Sequence, residues 1–459
     1  MNGIFFLSVI LKGTGAVLEV LFQVIVTRKM GVDGYGTFST WINSADLIFW
    51  IFFSALTKCN TYYLSADRVS IRRFRKKYYL RYVAPFLVAA SVGVVFLGKG
   101  EYGFVFLITG LELLAMDQSS TLLAQRHQMI SLVGEYALGR LILVVGFGIL
   151  QSSNHLSITA LMLLYAFQYA VIVLTFAIFQ KWKLGGEKDI SAAVSLKKWG
   201  SYQRADLIQS MIAQMPVLMQ YFFSGAFEAG VVSVVLTVKK LINFISGPTA
   251  KVFLPEFSRL YREGEKEKIR GCYGSIMRIQ MLFAGPLSVI LIGYPKVLLR
   301  ILADKLLDYT FIFILCSFVF IFAATLGPCS GLLQMTGNEK KDNMLREIAL
   351  AVMVVVMWIF RKDSLFVLYG LCAQALLEEI GKYYYVCRWM EGSPVQVKTY
   401  FAWWIVPALA IGITYALHLE TSLVSMVAFA GIVFVLGTAS ELKKEGGVRK
   451  MLRNRNKRA

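Results

Sequence analysis

Residues 26–41 read VTRKMGVDGYGTFSTW, with apolar runs on both sides. Gly31, Gly34 and Gly36 fall within six residues, next to Arg28, Lys29 and Asp33. Glycine reaches positive φ without steric penalty, so this composition predicts a tight reversal between two helices. The stretch has an echo: GVDGYG at 31–36 returns as GAFEAG at 225–230, with the same Gly-x4-Gly spacing. Each copy follows an apolar run, and each is followed by a basic segment, from Arg68 in one and from Arg259 in the other. Six expected spans separate the copies, so both enter a membrane in the same direction. That is a parallel repeat about an axis along the membrane normal, an arrangement found in secondary transporters.

The rest of the chain supports a membrane reading. Of 459 residues 57% are hydrophobic and 17% charged, and the mean hydropathy is +0.61. Such a chain lacks the polar surface a soluble fold of this size needs. The apolar runs approach the roughly 20 residues that a bilayer-crossing helix requires, whereas an outer-membrane barrel shows alternating segments of about ten. The expected fold class is therefore an all-α polytopic membrane protein. It has about fourteen spans, which begin near Ile4, Phe38, Tyr82, Tyr102, Ile130, Leu156, Asp206, Ala229, Cys272, Tyr309, Ile348, Leu365, Tyr400 and Ser422. Pro248 and Pro328 interrupt two of them. The start, MNGIFFLSVILKGTGAV, lacks a basic n-region and a cleavage site and reads as a retained first span.

Net charge is +20, and its distribution excludes nucleic acid as the explanation. With fourteen spans, 33 of the 48 cations fall on the side of the termini and eight on the other. By the positive-inside rule both termini are cytoplasmic. The segment SIRRFRKKYYLRY, 70–82, is basic and amphipathic and is expected at the inner leaflet. Loops on the outer side are short, the longest running from about Lys296 to Asp308, which leaves no room for a catalytic domain. The six cysteines are scattered without CxxC spacing, and the three histidines are isolated, so no metal site or cofactor is expected.

Three longer motifs carry a resemblance. TRKMGVDGYGTFSTW is similar to an R-x-LG-x-x-x-YG turn, with Met30 in the leucine position. VLTVKKLINFISGPTAKVFLPEFSRLYREGEKEKIRGCY, 235–273, runs from a Lys-aliphatic stretch into P-x-x-S and a charged segment. LGPCSGLLQMTGNEKKDNMLR, 326–346, ends a span in Gly-Asn-Glu-Lys. Together they resemble the polysaccharide flippases of the multidrug/oligosaccharidyl-lipid/polysaccharide exporter superfamily, relatives of the lipid II flippases. The resemblance implies two six-helix lobes in a V around a central cavity, working by alternating access. On this sequence that predicts an N-lobe at 1–180, a cytoplasmic linker at 181–204, a C-lobe at 205–390, two added helices at 391–441 and a basic tail at 442–459. It implies a polyprenyl-pyrophosphate-linked oligosaccharide as cargo, in the bacterial inner membrane, for O-antigen, capsule or exopolysaccharide synthesis. The implied partners are membrane lipid and the lipid-linked oligosaccharide, with a polysaccharide polymerase and chain-length machinery alongside a monomeric chain.

Ionisable residues inside spans are expensive and usually face a cavity or a partner. Lys12, Lys58 and Lys240 are the expected cavity cations, because a pyrophosphate crossing a region of low dielectric needs charge-assisted hydrogen bonds. Adjacent Lys239 and Lys240 diverge by about 100° on a helix, so at most one faces a given cavity. Glu19 lies two turns after Lys12 and, with Asp46, is expected in coupling, gating or a polar seam. Arg28 and Lys29 sit at the outer mouth and are expected exit-gate cations. Arg140 is expected to pair with Glu135 inside span five, and Glu378 and Glu379 to be solvated at a helix end. Two other readings stay open. A cation-coupled multidrug exporter of the same superfamily usually has twelve spans and an acid-rich cavity. A polysaccharide polymerase or ligase usually has a large outer loop.

Overall fold

The computed structural model describes residues 2–54, 56–57, 101–124, 127–153, 156–183 and 196–443. Among them the regular structure is helical and no strand occurs. The expected span beginning near Tyr82, the amphipathic segment 70–82, Lys58, Cys59 and the basic tail lie outside the described residues.

The opening stretch decides the first element. Helix α1 (Asn2–Phe52) is two helical arms joined at Gly31, whose φ of 78° and ψ of 170° break the helix. The second copy behaves alike: Gly225, with φ of 107°, separates α6 (Leu196–Ser224) from α7 (Ala226–Arg262). Glycine is the residue that adopts this region cheaply, so both reversals follow from sequence. Between them lie α2 (Glu101–Ala124), α3 (Gln128–Leu132), a π-helical turn (Val133–Leu138), α4 (Gly139–Ser152) and α5 (Ile158–Lys183).

After α7 come α8 (Lys266–Ser288), a π-helical turn (Val289–Gly293), α9 (Pro295–Leu302) and a 3-10 turn (Asp304–Tyr309). The expected outer loop at 296–308 is therefore largely helical. The remaining helices are α10 (Thr310–Thr325), α11 (Cys329–Met335), α12 (Glu339–Ile359), α13 (Phe366–Trp389), α14 (Val397–Ala416) and α15 (Leu423–Lys443). Pro248 does not interrupt α7, as membrane helices allow. Pro328 does separate α10 from α11, next to Gly327 at φ 94°. A proline disfavours helical backbone at the preceding residue and supplies no N–H. Among the described residues five helical segments are long and apolar enough to cross a membrane: Met129–Ser152, Ile158–Phe179, Lys266–Gly293, Asp304–Met335 and Val397–Ala416.

The chain divides into two compact units, Met1–Ser233 and Val234–Ala459. In the first, the core is aromatic. Phe22 on the first arm of α1 meets Phe38 on the second arm at 6.0 Å and Phe147 of α4 at 6.1 Å, both edge-on. Phe38 meets Tyr165 of α5 at 6.0 Å. In the second unit the core gathers Phe257, Tyr273, Ile276, Met277, Cys329 and Val386. The Tyr273 hydroxyl donates to the Leu326 carbonyl at 2.8 Å, capping the break before α11. Cys272, Cys316, Cys329 and Cys372 are buried thiols outside any disulfide, as small apolar side chains often are, and Cys387 is half-buried.

Candidate functional site

The first unit holds a polar cluster inside its apolar core. Thr109 of α2 donates to its own helix at Val105 and to the Ala45 carbonyl of α1 at 3.2 Å. This bond places Glu112, one turn along α2, beside Asp46 of α1, close enough for the two carboxyls to interact. Glu112 is 3% exposed, and its Oε2 has no hydrogen-bond partner. Gln214 of α6 donates a long bond, 3.4 Å, to Asp46 Oδ2. Tyr165 and Tyr169 of α5 complete the surroundings of the acid pair.

Arg140 is a cation near this cluster. The π-helical turn at Val133–Leu138 inserts extra residues into the helical ladder ahead of it, and such bulges re-aim the side chains that follow. Arg140 then reaches Glu19 of α1 at 3.4 Å and bonds the Tyr165 hydroxyl. This corrects the expected Arg140–Glu135 pair: Glu135 lies within the π turn and accepts from Ser119 of α2 instead. It also gives Glu19 a partner on another helix. Replacing Glu19 by Gln is expected to destabilise the chain by about 1–2 kcal/mol, because both side chains keep some exposure. The charge-swapped double variant Glu19→Arg, Arg140→Glu recovers part of that loss in a thermal unfolding measurement.

The other expected site residues do not form one group. Lys12 lies in the first arm of α1, but its side chain is outside the described residues, as is the whole of Lys58. Arg28 and Lys29 are exposed just before the Gly31 break. In the second unit Lys240 is exposed, whereas Lys239 lies 5.1 Å over the Phe320 ring. The two lysines diverge as adjacent helical residues must.

The repeated turns meet at a crossing that the sequence did not announce. Ser39 and Ser233, which stand at the same place in the two copies, share a hydrogen bond of 2.7 Å. A Cβ on Gly36 would run into the Ala226 carbonyl, and one on Gly230 into the Val32 carbonyl. Val32 and Ala226 are again equivalent positions, so the contacts are reciprocal. Small residues let membrane helices approach this closely.

A second polar cluster was missed altogether. Lys382, fully buried on α13, reaches Asp342 Oδ1 of α12 at 3.1 Å and Ser330 of α11 at 2.6 Å, and it bonds Glu378. Arg346 reaches Asp342 at 3.3 Å and Glu378 at 3.4 Å. Glu378 is thus buried and paired, not solvated, and Lys382 and Arg346 are helix residues inside the same network. The spacing was a usable signal: Asp342–Arg346 and Glu378–Lys382 are both acid-to-base pairs at i, i+4.

With this geometry in view, comparison with known proteins is informative. A family model described as polysaccharide biosynthesis protein matches residues 79–310, half of the chain. The chain belongs to the polysaccharide biosynthesis protein family. No curated protein matches it at a significant level. Among solved structures, lipid II flippase MurJ in an inward closed conformation superposes with a TM-score of 0.69 at 11% identity, over 96% of this chain and 99% of that one. An outward-facing multidrug resistance MATE family transporter of the MOP superfamily gives 0.56 at 14% identity, over 84% and 95%. An inward-facing one gives 0.55 at 13%, over 82% and 98%. At these identities the likeness shows a shared fold: this polysaccharide biosynthesis protein has the helical fold of MOP-superfamily transporters.

Proposed function

We propose that the chain flips a polyprenyl-pyrophosphate-linked oligosaccharide from the cytoplasmic to the outer leaflet of the bacterial inner membrane, by alternating access, for cell-surface polysaccharide synthesis. The observation that carries this reading is a polysaccharide biosynthesis family match on a chain whose fold is shared, over 96% of its length, with a lipid II flippase. In this reading fourteen helices form two six-helix lobes with two added helices, and both termini are cytoplasmic. The lobes are residues 1–180 and 205–390, with helices 391–441 added.

The headgroup enters as an anion. Lys12, Lys58 and Lys240 offset its desolvation in the membrane, and Arg28 and Lys29 meet it at the outer mouth. Lys240 is exposed, while Lys239 lies over the Phe320 ring. Lys240→Ala is therefore expected to lower polymer output without changing thermal stability, and Lys239→Ala to change stability more than output. Equal effects of the two on output would count against Lys240 as a cargo contact. A polysaccharide polymerase and chain-length machinery act on the delivered unit.

The deciding genetic experiment is a deletion strain. It is expected to accumulate the lipid-linked unit and to lose surface polymer, with both restored by the intact gene. Normal polymer in the strain would overturn the reading. The second reading, a cation-coupled multidrug exporter, draws on the buried acid pair of the first unit and on the MATE-like fold. Drug-resistance assays on an overexpressing strain separate the two.

A further inference from the structure

We propose that Cys316 of α10 and Cys372 of α13 are a redox-reactive pair that closes to a disulfide and fastens the broken α10–α11 segment to α13. The inference goes beyond the transport reading and takes from it only the topology. Each cysteine is the seventh residue of its helix, and their sulfurs meet at 3.5 Å inside the second unit. The two lie 56 positions apart in the chain, so no local spacing marks them. A disulfide is about 2.0 Å long, so the sulfurs must close by about 1.5 Å, a movement that side-chain rotation supplies.

Two features set this pair apart from inert core thiols. The first is charge. Lys239 of α7 lies 5.1 Å over the Phe320 ring, one turn after Cys316 on α10, and its ammonium acts on both sulfurs. Glu378 and Glu379 act on the same ammonium from further along α13. A thiol beside a cation is more nucleophilic than one in wholly apolar surroundings. The second feature is position. In the topology proposed above α10 and α13 both start at the outer face. The pair then lies about 9 Å inside that face, next to a compartment in which disulfides persist.

Hydrogen peroxide, a small neutral two-electron oxidant, supplies the step. Cys372 is 7% exposed and Cys316 is 0% exposed, so Cys372 is the sulfur that meets the oxidant. Its thiolate attacks one peroxide oxygen and the O–O bond breaks. The departing hydroxide takes the thiol proton and leaves as water, and Cys372 becomes a sulfenic acid. The Cys316 sulfur attacks the Cys372 sulfur, the S–O bond breaks, and a second hydroxide leaves as water with the Cys316 proton. Two thiols and one peroxide thus give one disulfide and two waters, and the two electrons that the sulfurs lose pass to the peroxide. After closure α13 holds the segment at two points. One is Cys372 on α10, and the other is Lys382, which bonds Ser330 on α11. The break at Gly327 and Pro328 lies between them. A disulfide across so long a loop also restricts the unfolded chain, which stabilises the folded one.

The test treats the purified full chain in proteoliposomes with hydrogen peroxide and reads intact mass, a non-reducing peptide map and thermal unfolding. The expected result is a loss of two hydrogens per chain, a linked peptide pair carrying Cys316 and Cys372, and a higher unfolding temperature, all reversed by dithiothreitol. Cys316→Ala and Cys372→Ala are each expected to lose the link and the temperature rise. Lys239→Met is expected to form the link several-fold more slowly. A wild-type chain in which these two cysteines stay free, are oxidised singly or pair with other cysteines overturns the proposal. An unfolding temperature that the link leaves unchanged overturns the fastening, and an unchanged rate in Lys239→Met overturns the part given to the ammonium. None of these readings needs cargo or a defined orientation. If the wild-type gene fails to restore polymer while the link forms, the flippase reading falls and the thiol pair stands.

Discussion

Lys382→Met is expected to destabilise the second unit by about 3–5 kcal/mol, the range for removing one partner of a buried ion pair. The lysine is fully buried, and its ammonium joins Asp342, Glu378 and Ser330, which lie on three helices. Without it Arg346 alone faces two carboxylates. The loss comes from the charge left behind, so the double variant Lys382→Met, Glu378→Gln is expected to be more stable than Lys382→Met alone. Thermal unfolding of the purified chain in detergent checks both. A change below about 1 kcal/mol in the single variant, typical of exposed pairs, would show that the network is solvated. One helix depends most on this network. It is α11, a seven-residue helix that is too short to persist alone and is tied to α12 by Ser330 and Gln334 on Asp342.

The second large effect concerns the crossing of the two turns. Gly36→Leu forces a side chain against the Ala226 carbonyl and the Gly230 nitrogen, which are backbone atoms that cannot rotate away. Overpacking of this kind costs about 1–3 kcal/mol or more, and here it also drives α7 from α1. Polymer output is expected to fall to background, and Gly36→Ala to fall between the two. The pair Ser39→Cys, Ser233→Cys, in a chain whose native cysteines are alanine, is expected to cross-link on mild oxidation, since the parent hydroxyls are 2.7 Å apart. In an alternating-access cycle that opens this crossing, the cross-link halts export and a reductant restores it. Full export from a completely cross-linked chain would show that the crossing stays shut throughout.

The reversals at Gly31 and Gly225 were legible because they rest on a local rule. A glycine between two apolar runs marks a backbone turn, and an identical spacing marks a repeat. The helices were legible because the apolar runs have bilayer length. What the sequence withheld is pairing across helices. Arg140 had Glu135 five residues away as an obvious partner, and the π turn sends it to Glu19 instead. Glu112 lies in an apolar run with nothing local to mark it, and only the bond from Thr109 to Ala45 brings it beside Asp46. Glu378 was misread as solvated because position along a helix does not reveal what the neighbouring helix supplies. Its i, i+4 relation to Lys382 was the overlooked clue.

The central claim is a movement of cargo between leaflets, and sidedness measures it directly. Right-side-out membrane vesicles from the deletion strain, with and without the restored gene, can be treated with membrane-impermeant periodate, which oxidises only sugars on the outer face. The account predicts that the lipid-linked oligosaccharide is protected without the gene and oxidised with it. Equal oxidation in both would contradict the account.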